Sequence, residues 1–138
     1  MNGLDTMSDE CEKYFKELAD RKVLTLQMLK FFSEYYGERF WKALKAVVDG
    51  LIKKYVFTPS NRVEWIIIGK KRDYLIVSEL YCSCQDFYMN VVLRKNAVIC
   101  YHLLARRLAE ALDCFEEIRV EDNKYEKFMC EWREIEDS

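Results

Sequence analysis

Two closely spaced pairs of potential metal ligands constrain this chain more than any other feature. The pattern is Cys82-Ser83-Cys84, a gap of fifteen residues, and then Cys100-Tyr101-His102, which contains the only histidine. Three thiolates and one imidazole suit a tetrahedral zinc ion, with bonds of about 2.3 Å to sulfur and about 2.0 Å to nitrogen. Because four protein donors leave no position for water, one such ion is expected to stabilise the fold rather than carry out chemistry.

The spacing within each pair predicts its local structure. Residues i and i+2 of a helix point about 200° apart, so Cys100 and His102 are expected in the first turn, where the backbone is not yet fixed. The positive end of the helix dipole there favours the thiolate of Cys100. Alternate residues of an extended segment share one face, which brings Cys82 and Cys84 together. The site is therefore predicted between a strand and the start of a helix.

Other interpretations of these residues stay open. Three buried cysteines and one hydrogen-bonded histidine could simply belong to the core. A redox pair at Cys82 and Cys84 is disfavoured because a single intervening residue strains the bridge, and a Cys/His nucleophile lacks an orienting third group. Cys11, Cys114 and Cys130 lie on segments with helical periodicity and are expected to be reduced thiols, with no role assigned by the sequence.

Composition and periodicity predict one compact α+β domain. With 51% apolar residues, four glycines and one proline, the 138 residues suffice for a globular core. Helical spacing marks amino-terminal helices, the clearest over Phe40–Leu51, and another helix over 100–113. Branched and aromatic runs at 51–57, 63–68 and 74–80, separated by turns, predict a three-stranded antiparallel sheet. The predicted regions are the amino-terminal helical region 1–50, the sheet and zinc finger 51–115, and the acidic carboxy-terminal helix 116–138.

The pattern of Cys82, Cys84, Cys100 and His102 resembles the signature of the SWIM zinc-finger family, and further residues match it as well. Ala105 matches the small residue that this family's pattern places three after the histidine. The runs Val92-Leu93-Arg94-Lys95 and Ile99-Cys100 resemble the small single-domain branch that includes the Shu-complex SWIM subunits and their archaeal relatives. The resemblance covers residues 44–115 and implies a non-enzymatic protein that pairs with a RecA-like ATPase paralogue and supports homologous recombination and DNA repair. It implies one structural Zn²⁺ held by Cys82, Cys84, Cys100 and His102, with Ala105 packing the finger.

Charge is unevenly distributed along the chain. Residues 21–115 contain sixteen basic and nine acidic residues, hence +7, whereas residues 1–20 and 116–138 carry −4 and −5. This balance permits contact with DNA, so the alternative function is a stand-alone, sequence-nonspecific nucleic-acid-binding module. Solvated turns and a helix face are the competing interpretation. The candidate phosphate contacts are Lys70, Lys71, Arg72, Arg94, Lys95, Arg106 and Arg107; Tyr81, Phe87 and Tyr88 could stack on bases, although core positions are favoured for them.

Aromatic residues crowd both sides of the second predicted helix, for which Thr25 is the expected N-cap. Because aromatic excess and low charge are typical of interface centres, this region is the candidate partner surface. The alternative is that the same rings enclose one small core. The residues concerned are Phe31, Phe32, Tyr35, Tyr36 and Trp41.

The sequence also favours an intracellular location. No apolar run approaches the roughly 18 residues of a membrane span. The acidic start differs from a secretion signal, and the cysteines suit metal binding better than a disulfide framework. We therefore expect a protein of the cytoplasm, nucleoid or nucleus without membrane contact.

Overall fold

A computed structural model of the chain describes residues 3–77, 81–82 and 99–133, with side chains for residues 9–77 and 99–133. Within these residues the chain forms five α-helices, five β-strands and one 3₁₀ turn. In chain order the elements are α1 (Gly3–Arg21), α2 (Leu26–Tyr36), α3 (Glu38–Val48), β1 (Ile52–Thr58), β2 (Arg62–Ile68), β3 (Asp73–Val77), β4 (Tyr81–Cys82), α4 (Tyr101–Leu112), β5 (Glu116–Glu121), the 3₁₀ turn (Asp122–Lys124) and α5 (Tyr125–Arg133).

Local signals in the sequence set the bounds of the amino-terminal helices. The Thr25 hydroxyl accepts a hydrogen bond of 3.2 Å from the Met28 amide, which confirms Thr25 as the cap of α2. Gly37 separates α2 from α3 with a φ of 67°, and Gly50 follows α3 with a φ of 73°. None of the helices in the described residues is long and apolar enough to cross a membrane.

The strands form one mixed sheet in the order β4-β3-β2-β1-β5. β1 to β4 pair antiparallel, but β5 runs parallel to β1, with Tyr55 beside Ile118. The predicted α+β class is confirmed, and the three predicted strands are present and antiparallel. The prediction of only three strands in a purely antiparallel sheet is wrong, because β4 and the parallel β5 extend the sheet. Residues 116–121, predicted as helix, form β5 because the half-buried Ile118 and Val120 alternate with exposed charged residues, which suits a strand paired with β1. In this register Glu116 lies beside Lys53, with an ion pair of 2.9 Å. Within the described residues, the final helix is Tyr125–Arg133.

The two faces of the sheet carry separate hydrophobic clusters. Helices α1 to α4 cover one face and enclose the main core, to which the sheet contributes Ile52, Trp65, Ile67, Tyr74 and Ile76. Helix α5 covers the other face and forms the second core, in which Met129 and Trp132 pack with Phe57, Ile66 and Leu75. Strand residues alternate between the two cores, as the period of two requires.

Helix α4 lies at the centre of the main core. Its residues Leu104, Ala105, Leu108 and Ala109 are fully buried, and the helix contacts α1, α3 and strands β1 to β4. Small residues on α4 and α3 allow the two backbones to come close, which explains their extensive contact. Ala105, the predicted finger-packing residue, thus lies in the main core.

Candidate metal centre

Two of the four predicted zinc ligands lie at the start of α4. Cys100 is the N-cap residue, with φ −80° and ψ 162°, and His102 is the second residue of the helix. The predicted position of the pair in the first helical turn is therefore confirmed. Cys100 is 0% and His102 4% exposed, so both side chains are removed from bulk water.

The N-cap position suits a thiolate donor. The Cys100 backbone is extended and its sulfur forms no capping hydrogen bond to the helix, while its carbonyl accepts from the Leu104 amide at 3.2 Å. The amides of the first turn and the positive end of the helix dipole favour a negative charge at this sulfur. A sulfur at this position is compatible with zinc binding, and its burial also fits a core cysteine, so its role as a ligand stays a prediction.

The His102 imidazole lies against two tyrosine rings. The Tyr74 ring, from β3, is stacked on it with centroids 4.7 Å apart and planes at 25°. The Tyr101 ring lies 4.0 Å away with planes at 41°. The sequence did not identify Tyr74 as part of the site, because the contact joins a strand to a helix that follows it by more than twenty residues.

Strand β4 brings the backbone of Cys82 to the same end of the fold. Cys82 pairs with Ile76 of β3, and β4 contacts α4. The side chain of Cys82 and all of Cys84 lie outside the described residues. Within the described side chains, no three His, Cys, Asp or Glu residues form a cluster that could hold a metal. The described donors, a buried sulfur and a buried imidazole, fit zinc by their chemistry.

Curated relatives identify the family. The chain is 31% identical over 111 residues to the zinc finger SWIM domain-containing protein 7 homolog of Dictyostelium discoideum, covering 78% of this chain and 71% of that protein. The chain belongs to this SWIM family. The human zinc finger SWIM domain-containing protein 7 is 27% identical over 109 residues, covering 78% of this chain and 73% of the relative, and the mouse protein is 28% identical over 116 residues, covering 83% and 72%.

The family assignment confirms the resemblance seen in the sequence. The relatives' shared name implies zinc binding, whereas the four ligand positions and the number of ions stay predictions. No family model matches the chain, and no solved structure matches it either.

The basic residues of this SWIM chain lie in different surroundings. Lys70 and Lys71 are exposed in the turn between β2 and β3. Arg72 follows them and donates hydrogen bonds to the carbonyls of Glu131 at 2.9 Å and Trp132 at 3.4 Å, at the end of α5. Arg94 and Lys95, with Phe87 and Tyr88, lie outside the described residues, as does the side chain of Tyr81. The turn thus offers two exposed cations and one arginine that caps α5.

Both arginines of α4 make contacts within the protein. The Arg106 guanidinium lies 4.7 Å from the Trp65 ring centroid and pairs with Glu110 at 3.4 Å. Arg107 donates to both carboxylate oxygens of Glu12 at 2.6 Å. These contacts would have to be given up for either side chain to reach a phosphate, and phosphate binding stays a prediction for the whole basic set.

The candidate interface aromatics divide into inward and outward groups. Phe32 is fully buried in the main core, and the Tyr36 hydroxyl lies 3.2 Å from the Cys11 sulfur. Phe31 and Tyr35 are half-buried and stacked, with centroids 5.6 Å apart. Trp41 is 50% exposed. Most of these rings therefore serve the fold, and Trp41 is the one that faces outward most.

Proposed function

We propose that this SWIM protein is a non-enzymatic accessory subunit, stabilised by one zinc ion, that pairs with a RecA-like ATPase paralogue and supports homologous recombination and DNA repair. The family relationship at 31% identity carries the proposal. The resemblance of the Val92–Lys95 and Ile99–Ala105 segments to the Shu-complex branch points to the recombination role.

A structural role for zinc accords with the surroundings of Cys100 and His102. Both are buried at the start of a core helix, whereas a hydrolytic zinc centre needs an open coordination position that water can reach. Cys82, Cys84, Cys100 and His102 would hold the ion and thereby fasten the β4 strand to α4. Zinc, when bound, would supply only cross-linking of the fold, with no reaction at the metal.

The surface of α2 and α3 is our proposed contact for the ATPase partner. Trp41 is half exposed, and the half-buried Phe31 and Tyr35 are also on these helices. Large aromatic side chains of this kind carry much of the energy of protein interfaces. Phe32 and Tyr36 would support this surface from the core side.

Pull-down with the RecA-like ATPase paralogues of the same genome tests the proposal. The chain is co-expressed with each paralogue and complexes are measured by size-exclusion chromatography with light scattering. We expect one paralogue to form a stable complex, and Trp41→Ala to weaken it by roughly tenfold or more. Val63→Ala, on the exposed part of β2, is the matched control and should leave the complex intact.

Two negative results have different meanings. If no RecA-like paralogue binds the wild-type chain, the accessory-subunit function is refuted. If a paralogue binds wild type and Trp41→Ala equally well, only the proposed contact surface is wrong.

A stand-alone nucleic-acid-binding module is the alternative, favoured by the exposed Lys70 and Lys71. It predicts a soluble monomer whose affinity for fluorescent single-stranded DNA falls steeply with salt. In anisotropy titrations, the double variant Lys70→Glu, Lys71→Glu should then lose binding. Salt-dependent DNA binding by the isolated chain, without a paralogue partner, would favour this alternative.

A further inference from the structure

Tyr74 is the residue that connects the sheet to the predicted zinc ligand His102. Tyr74 is 9% exposed, and its ring is stacked on the imidazole with centroids 4.7 Å apart and planes at 25°. Two positions further along β3, Ile76 pairs with Cys82. The same short strand therefore holds a ring against one predicted ligand and runs beside the backbone of another.

The turn before β3 is shaped around the Tyr74 ring. A Cβ atom added at Gly69 would lie 2.4 Å from Cε2 of Tyr74 and 2.6 Å from the Arg72 carbonyl oxygen. Both distances are below any real contact of a Cβ atom, and one of the two neighbours is backbone. Only glycine at position 69 therefore leaves room for the ring where it lies.

Arg72 adds a further restraint on this ring. Its guanidinium lies 5.8 Å from the Tyr74 ring centroid, and it is itself held by the carbonyls of Glu131 and Trp132 at the end of α5. Tyr74 is thus bounded by the β2–β3 turn, by a tethered arginine and by the imidazole. A ring with these neighbours has little freedom to rotate.

A metal-binding histidine needs a fixed ring orientation as well as the correct position. Hydrogen-bonded neighbours that orient such ligands commonly contribute about 10- to 100-fold in metal affinity, which sets the scale expected for a neighbour that restrains the ring by stacking. An imidazole stacked on a fixed aromatic ring loses its rotation about χ2 before the metal binds, so less entropy is lost on binding. The stacked geometry at Tyr74 provides this restraint.

We propose that Tyr74 is a positioning residue for His102 in the zinc centre, and that Gly69 is required because it admits the Tyr74 ring. The inference rests on the proposed zinc centre and deepens it. The ring face, rather than the hydroxyl, is the group that acts on the imidazole.

Zinc affinity, measured by competition with a chromophoric chelator, tests this role in the full chain. We expect Tyr74→Leu to bind zinc about 10- to 100-fold more weakly than wild type and Tyr74→Phe, which keeps the ring, to bind it nearly as well. Tyr55→Leu is the matched control: Tyr55 is half-buried on β1 and packs on Trp132 at 4.9 Å, away from His102. Its zinc affinity should equal that of wild type.

A glycine pair provides an independent test. Gly69→Ala should weaken zinc binding because Tyr74 must move, and the Co²⁺-substituted protein should show an altered d–d spectrum. Gly50→Ala is the control, since Gly50 has open space around it but a φ of 73° that strains alanine. It should lower thermal stability without changing zinc affinity or the cobalt spectrum.

The outcomes separate this inference from the proposed function. Equal zinc affinity in wild type, Tyr74→Leu and Gly69→Ala would overturn the positioning role while leaving the zinc centre in place. Wild-type protein that binds no zinc would overturn the positioning role together with the centre. Failure of the ATPase pull-down with the expected zinc affinities would refute the recombination function alone.

Discussion

At the scale of single residues, Glu64 is a half-buried carboxylate whose charge is disfavoured by burial and favoured by a hydrogen bond and by nearby arginines. It lies on β2, where its Oε1 accepts a hydrogen bond of 3.3 Å from the Tyr125 hydroxyl. Burial raises the pKa of Glu64, opposed by the Tyr125 hydrogen bond and by the charges of Arg133 and Arg62. A carboxyl group whose pKa is higher in the folded chain stabilises the fold below its unfolded pKa and loses this contribution as the pH rises through the folded value.

Glu64→Gln should therefore stabilise the protein at neutral pH. Glutamine keeps an acceptor for Tyr125 but needs no solvation of a charge, so we expect the melting temperature to rise by about 1–3 °C at pH 7. The difference should shrink as the pH falls through the raised pKa of Glu64, and it should be lost below the unfolded value of about 4.3, where the carboxyl is protonated in both states. Thermal unfolding between pH 3.5 and 8 measures this, with the exposed Glu126→Gln as control. A lower melting temperature for Glu64→Gln at pH 7 would show that the hydrogen bond of the Glu64 carboxylate and the charges of the nearby arginines outweigh its burial.

At the scale of elements, a single arginine joins the first and fourth helices. Arg107 of α4 donates to both oxygens of Glu12 on α1 at 2.6 Å, and its guanidinium lies 3.9 Å from the Phe15 ring centroid. Planar guanidinium groups suit both contacts at once. The side chain therefore docks the amino-terminal helix on the helix that begins with the predicted ligands.

Arg107→Ala should destabilise the fold by about 1 kcal/mol, because it removes a bidentate ion pair and a cation–π contact, although solvent screens Glu12. Urea unfolding monitored by circular dichroism gives the change in free energy. Arg21→Ala is the control, since its ion pair with Glu17 is exposed on both sides and should contribute only a few tenths of a kcal/mol. Equal effects of the two substitutions would show that Arg107 does not hold α1.

The bounds of the strands and helices show how much of the fold the sequence predicts. β1, β2 and α4 lie within one residue of their predicted bounds, because long apolar patterns and clear turns mark them. β3 begins within one residue of its predicted start, and the predicted end at 78–80 lies outside the described residues. β5 was missed because only Ile118 and Val120, both half-buried, alternate with four charged residues. Its structure depends on pairing with β1, more than fifty residues away, which local periodicity cannot indicate.

At the scale of the whole molecule, long-range contacts limit what the sequence predicts about function. The first-turn position of Cys100 and His102 follows from spacing alone, whereas the stacking of Tyr74 on His102 requires the tertiary fold. The positive balance of residues 21–115 permits contact with DNA, yet Arg107, one of the candidate phosphate contacts, is paired with a carboxylate 95 residues away. Local patterns thus predict elements and ligand spacing, but contacts between distant segments decide which side chains remain available.

Because α4 contacts α1, α3 and strands β1 to β4, zinc at its first turn should stabilise the whole fold. We expect chelation to lower the melting temperature by more than about 10 °C in one cooperative transition, with hydrogen-exchange protection lost together in α3 and α4. Cys100→Ser or His102→Ala should reproduce this loss without chelator. Cys130→Ser, at an exposed cysteine of α5, should retain zinc and the wild-type melting temperature. Unchanged stability and protection after complete removal of zinc would refute a structural role for the metal, since the main core would then hold α4 without it.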